Sequence, residues 1–264
     1  MSEPRRQLAP PSSLHIVKTL AWRELRLASR RKLVRALFVM SLVPLAIFAA
    51  ILVVSVVSEQ ALHAELDWDP VQEFLGVQLF PVALLALGLG TPIIARDRAE
   101  DVLYLYATRP LLPWHYTVGK VLAVWLPCAA LLFLPALIMA GLRLGILARV
   151  DTWNFARMLL QTAAVSALFA LGYAGLTVGA SALTKRARWS LMLALGVDIV
   201  LPAFVLGAGL GYPVSPSNAG SDLLYVFFED FEARRLMVAV GVLLFYGALG
   251  FIIPTWRMSQ EMTP

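Results

Sequence analysis

Side chains able to do chemistry concentrate in two places, the run Arg96 to Lys120 (RDRAEDVLYLYATRPLLPWHYTVGK) and the isolated carboxyl of Asp198. The first is a charged, aromatic and proline-bearing island between two long apolar runs, so contact with an aqueous partner falls there. Bond-making sites are poorly supplied. His15, His63 and His115 stand on separate segments, Cys128 is the one cysteine, and no HExxH, CxxC or GxSxG occurs. Metal and nucleophile sites therefore lack the spacing they need. His63 among Glu59, Glu65, Asp67 and Asp69 can hold a cation weakly, but a solvated acidic loop is the simpler reading. No GxxxxGK[ST] phosphate loop is present, so if ATP drives this protein another chain must bind it.

Asp198 lies within an apolar run. A carboxyl is costly in lipid, so it is expected to face the interior of a helix bundle and find a partner, or to be neutral. A structural hydrogen-bonding role and a proton or substrate role both stay open, although a proton relay calls for more intramembrane carboxyls or histidines than this one. Gln78 is a second polar group inside an apolar run.

The elements that must position these groups follow from composition. With 59% hydrophobic residues, 15% charged residues and a mean hydropathy of +0.76, the chain is too apolar and too charge-poor for a soluble domain of 264 residues. It reads as an integral membrane protein. A helix needs about 20 apolar residues to cross about 30 Å of hydrocarbon. Six runs are long enough, roughly 34–57, 74–95, 121–142, 158–183, 191–211 and 236–255. The alternating pattern of a membrane β-barrel is absent, which leaves helices as the spanning structure. The expected fold is an all-α membrane protein, a single six-span domain over 14–264 behind a disordered cytosolic lead over 1–13, rich in Pro, Ser and Arg. The first apolar run is of full span length and follows a charged stretch, so no signal peptide is expected.

Six spans put both termini on one side, and Lys and Arg are distributed very unevenly between the sides. Seventeen lie in the N-terminal segment, the 96–120 island, the Lys185 to Arg188 turn and the tail; five, Arg143, Arg149, Arg157, Arg234 and Arg235, lie opposite. The excess of cations predicts cytosolic termini in a cytoplasmic membrane. The net charge of +5 is then an orientation signal and not a nucleic-acid footprint.

Before the first span, Leu14, Val17, Ala21, Leu25 and Ala28 recur at helical spacing while Lys18, Arg23, Arg26 and Arg30 fall mostly elsewhere around the wheel. That predicts an amphipathic interfacial helix over 14–33 with Trp22 in the headgroup layer, the alternative being a plain basic flank. Pro44, Pro81, Pro127, Pro135, Pro202 and Pro254 fall inside spans, where they either bend the helices or are simply tolerated. Gly172, Gly175 and Gly179 in span four predict close helix packing, within the chain or against a second copy. The last outer loop opens on YPVSPSNAGS, a turn-rich connector, and continues over 222–231 as a short helix on or dipping into the outer leaflet.

Around 96–120 the order is particular: ARDRAED leaves span two, VLYLYATRP follows, and LLPWHYTVGK leads into span three. The segment resembles the permease subunits of type-2 ABC transporters, in which an R-D/E-rich end of span two precedes an RP turn, an aromatic residue and GK. The matching positions are Arg96, Asp97, Arg98, Glu100, Arg109, Pro110, Trp114, Tyr116, Gly119 and Lys120. The six spans, the W-R-E-L-R core of the first helix and the long final outer loop are arranged alike. One departure is that Glu100-Asp101-Val102-Leu103 stands where the family often has Glu-x-Gly-Thr.

The resemblance implies a permease, an exporter, whose short cytosolic coupling helix after span two docks in a cleft of a separate ATPase. Two ATPase chains would carry ATP and Mg and drive two permease copies, identical or related; this chain itself would hold no cofactor and catalyse nothing. Such docking is helix-in-groove recognition, with Val102, Leu103, Tyr104, Leu105 and Tyr106 as anchors, Arg96, Arg98 and Glu100 as rim charges and Arg109 closing the segment. The alternative for each charge is ordinary interfacial anchoring. The rival functions are a membrane-embedded enzyme, an ion-coupled carrier and a scaffold that only recruits partners.

Overall fold

A computed structural model of the chain describes residues 12–62, 70–102, 112–147, 152–208 and 213–262. Among these residues the fold is all helical, with no strand. In chain order the helices are α1 (Ser13–Ser29), α2 (Lys32–Leu62), α3 (Pro70–Gly90), α4 (Ala95–Ala99), α5 (Pro113–Leu147), α6 (Thr152–Leu183), α7 (Ala187–Gly207), α8 (Pro216–Phe228) and α9 (Ala233–Met262). Six helices, namely α2, α3 with α4, α5, α6, α7 and α9, are long and apolar enough to cross a membrane.

α6 is the spine of the bundle. In its apolar stretch 72% of residues are buried, against 17% for α2 and 11% for α7, so those two lie at the periphery. The glycines of α6 explain the difference. A Cβ added at Gly175 would collide with the Tyr246 carbonyl and the Gly247 backbone of α9, and one added at Gly250 would collide with the Gly175 backbone. About one turn earlier, a Cβ at Gly172 would press on Leu243. The small-residue stripe is therefore consumed inside the chain by the α6–α9 crossing, where the missing side chains let the backbones touch.

Three expectations shift at helix ends, the first being that α1 stops at Ser29, short of the expected 33, with a turn over residues 30–31 before α2 starts at Lys32. The second span, Val71–Ala99, is not one continuous helix: α3 stops at Gly90, a turn covers residues 91–94, and α4 restarts at Ala95. Pro92 has no N–H to give and so cannot continue the ladder. Thr91 covers the end instead, its Oγ1 donating to the Leu87 carbonyl at 2.7 Å. By contrast Pro44, Pro81, Pro127, Pro135 and Pro254 all lie within helices that carry on past them.

The third shift concerns YPVSPSNAGS, most of which is helix and not connector. Ser215 caps α8, its Oγ accepting from the Asn218 N–H at 3.3 Å, and Pro216 occupies the first turn, where its fixed φ suits a helix start. α8 then lies along α6 in the opposite direction. Ser217 sits at Tyr173, a Cβ added at Gly220 would strike the Phe169 ring, and the Phe227 carbonyl accepts from Gln161 Nε2 at 2.7 Å. At 1.5 Å per residue the start of α8 is about 30 Å along α6 from Thr152. The 213–228 segment thus enters the bundle and climbs back out of it.

The α6–α9 crossing yields a test. Gly175→Ala must push the α6 and α9 backbones apart and should cost about 1–3 kcal/mol. Gly241→Ala, with nothing within 4 Å of the added atom, should be neutral or gain up to about 1 kcal/mol from helix propensity. Denaturation in detergent, followed by tryptophan emission, compares the two.

Candidate functional site

The island after α3 is held by one hydroxyl before any charge is involved. Ser181 Oγ, near the end of α6, donates to the Thr91 carbonyl at 2.8 Å and accepts from the Ile94 and Ala95 N–H groups at 3.0 and 2.9 Å. That uses its single donor and both lone pairs, and it satisfies backbone groups that the break at Pro92 leaves open. Gly90 makes the approach possible, since a Cβ there would collide with the Thr177 side chain. α4 is thereby pinned to α6.

The charges of α4 are then divided between its faces. Asp97 points toward α5, where Lys120 is 1% exposed. The Lys120 ammonium meets Asp97 Oδ2 at 2.7 Å, Glu24 Oε1 at 2.8 Å and the Ile93 carbonyl at 3.2 Å, which commits its three N–H groups. Tyr116, one turn before Lys120, donates its hydroxyl to Asp97 Oδ2 at 2.6 Å. Gly119 completes the arrangement, because a Cβ there would meet Leu20 Cβ at 2.9 Å and the α1 backbone behind it. The Gly119-Lys120 pair thus has a division of labour: the glycine lets α1 come close and the lysine fastens it through Glu24.

Arg98 faces the other way. It is 5% exposed, its Nη2 and Nε donate to Glu261 Oε1 at 2.8 and 3.1 Å, and its Nη1 donates to the Ala182 carbonyl at 2.8 Å. Arg98 thus ties α4 to the end of α9 and to the last carbonyls of α6, where a cation also complements the helix dipole. The expected rim set is therefore split: Arg98 is internal, whereas Arg96 and Glu100 are exposed and form an i,i+4 pair at 3.2 Å. Asp101 follows with φ 50, a left-handed turn residue in place of a glycine, and Val102 is half-buried. Leu103, Tyr104, Leu105, Tyr106 and Arg109 lie outside the described residues, as does the 63–69 stretch that includes His63. Glu24, unremarkable in the amphipathic pattern of α1, Ser181 and Glu261 are residues of this anchorage that sequence reasoning missed.

Asp198 and Gln78, the intramembrane polar pair, do not meet. Gln78 is buried between α3 and α5, its Nε2 donating to the Leu131 carbonyl at 3.2 Å. Asp198 sits in a π turn, Gly196–Val200, where Leu201 N–H reaches back to the Gly196 carbonyl just before Pro202. Its Oδ2 accepts from the hydroxyls of Tyr173 and Ser217, the latter at 2.9 Å, and its Oδ1 accepts the Ser217 N–H at 3.2 Å. The Tyr173 and Ser217 oxygens also lie in contact, so the two hydroxyl protons are shared among three close oxygens. The carboxyl thus closes the first turn of α8, whose dipole favours a negative group there. Tyr246 of α9 secures the chain just upstream, donating to the Val214 carbonyl at 2.8 Å. No protein-family model matches this chain, and no curated protein matches it.

Two measurements probe these clusters. Lys120→Met leaves the Glu24 and Asp97 carboxylates facing an apolar side chain with no cation and should cost about 3–5 kcal/mol. It should also free α1 to tryptic cleavage at Arg23 and Arg26, and the triple variant that adds Glu24→Gln and Asp97→Asn should regain most of the loss. At the other cluster, Asp198→Asn can still accept from Ser217 N–H and give a hydrogen bond to a hydroxyl. It should stay within about 1 kcal/mol of the parent while Asp198→Leu costs about 1–3 kcal/mol.

Proposed function

We infer that this chain is the transmembrane permease subunit of an ATP-driven ABC transporter, an exporter of the type-2 kind, with the 96–109 segment as its docking element for a separate ATPase. The observation that carries the reading is the anchorage of α4. A segment of five helical residues between two spans is fastened to α1 and α5 through Asp97 and Lys120, to α6 through Ser181 and Ala182, and to α9 through Glu261. A push or pull delivered by a partner at the exposed Arg96–Glu100 face is passed to four helices at once.

The remaining elements of the proposal follow from this. ATP and Mg reside on the partner chains, in keeping with the missing phosphate loop. Both termini and α4 lie on the cytosolic side of the cytoplasmic membrane, as the Lys and Arg distribution predicts. α1 rests at that interface with Trp22, 60% exposed, toward the headgroups. A second permease copy must use a face other than the α6 glycines, which α9 occupies.

Tyr104→Asp with Leu105→Asp should abolish co-purification of the ATPase and leave membrane insertion unchanged. An intact complex would move the docking element elsewhere. Transport that continues when the ATPase carries an inactive phosphate loop would overturn the reading in favour of an ion-coupled carrier or an enzyme.

A further inference from the structure

The end of the bundle that carries α4 is rich in cations, and much of that charge is neutralised by the chain itself. Lys120 has Glu24 and Asp97, and both Arg98 and Arg257 have Glu261. One group is treated differently. An open groove of about 780 Å³ lies where the start of α2, the break after α3 and the α6–α7 turn converge, and Arg31, Arg96, Lys185, Arg186 and Arg188 line it, with no acidic side chain in its wall among the described residues. Arg96 has the exposed carboxylate of Glu100, and Arg31 Nη1 makes a long 3.5 Å contact with the Gly88 carbonyl. Lys185, Arg186 and Arg188 make no ion pair among the described residues.

Three segments far apart in sequence thus bring five cations to one cavity, and among the described residues only Arg96 has a carboxylate partner there. Their mutual repulsion is relieved by an anion from outside, and guanidinium forks suit the paired oxygens of a phosphate. The surroundings select the kind of phosphate. Leu33 near Arg31, and Trp189 and Met192 just after Arg188, are 56%, 55% and 65% exposed. They belong to α2 and α7, the two peripheral spans with the least covered surfaces. A free phosphate would use the groove and leave this apolar flank unused; an amphiphile uses both.

We propose that the groove binds the phosphate headgroup of an anionic membrane lipid, with the acyl chains lying along the exposed faces of α2 and α7. The site does not depend on an ATPase partner. Binding holds the α6–α7 turn against the start of α2 and the break before α4, three elements whose cations otherwise repel.

The test uses the full chain in phosphatidylcholine nanodiscs and reads quenching of Trp189 by lipids with brominated acyl chains, with Trp189→Phe giving the contribution of the other tryptophans. Brominated phosphatidylglycerol should quench at about tenfold lower mole fraction than brominated phosphatidylcholine, with the preference fading at high salt. Lys185→Gln, Arg186→Gln and Arg188→Gln together should erase it, whereas Lys18→Gln, Arg23→Gln and Arg26→Gln on α1 should not. Equal quenching by the two lipids in the parent protein overturns the proposal however the variants fold. Displacement of phosphatidylglycerol by millimolar inorganic phosphate overturns the lipid assignment in favour of a soluble phosphate. A groove that shows no lipid preference but is shielded from amine-modifying reagents by a co-purifying protein is a protein interface, and also overturns it.

Discussion

Burial of the Lys120 ammonium is the constraint on which this end of the molecule depends. Taking a charge out of water costs several kcal/mol, and the cost is offset only where partners of good geometry surround it. Here the partners come from three directions, Glu24 on α1, Asp97 on α4 and the Ile93 carbonyl in the break before it. None of these elements can move away alone without leaving a charge unpaired. Such a cluster adds little net stability compared with a well-packed apolar core, but it makes departures from one arrangement expensive. It defines where the polar island sits relative to the helices behind it.

The second constraint is backbone contact. At Gly175 and Gly250 the axes of α6 and α9 approach until no Cβ fits, and at Gly90 the end of α3 closes on the Thr177 side chain. These contacts make α6 a spine to which α3 and α9 are both bound, and they bring Ser181, Ala182 and Glu261 to the level of α4. At greater depth along the same spine, Tyr173 meets Asp198 and Ser217, so the re-entrant helix α8 is registered on α6 by its first turn. Polar anchorage at two levels about 12 Å apart along one close-packed helix links α4 to the start of α8. In the proposed transporter, α6 is the path by which movement at α4 reaches the segment that α8 fills.

Much of this was legible without coordinates. Six helices long and apolar enough to span a membrane follow from runs of apolar residues, because hydropathy is a local, additive property. The helical face of α1 was readable from spacing at Val17 and Ala21, both buried, and at Leu25 and Ala28, both half-buried, whereas Leu14 at the start of the helix is 83% exposed. The Gly88-Leu-Gly90-Thr-Pro92 segment marks a bend in the second span by its composition, and the break over 91–94 falls there, although Gly-Thr-Pro next to a charged run also reads as a stop signal. The start of α8 was misjudged because Ser-Pro-Ser-Asn suits a turn and a capped helix N-terminus equally well.

What sequence pattern determined is the class of the protein, the number and approximate extent of its apolar helices and the existence of a charged island between the second and third. Only tertiary structure decided which charges look inward. Lys120, Arg98 and Asp97 are chemically no different from Arg96 and Glu100, and nothing in their spacing separates a buried pair from an exposed one. The distinction arises from residues 27 to 163 positions away, Ile93, Glu24 and Glu261, that reach them after the helices have packed. Partner choice in a packed bundle is a matter of three-dimensional proximity, and the cost of an unpaired buried charge then makes that choice exclusive.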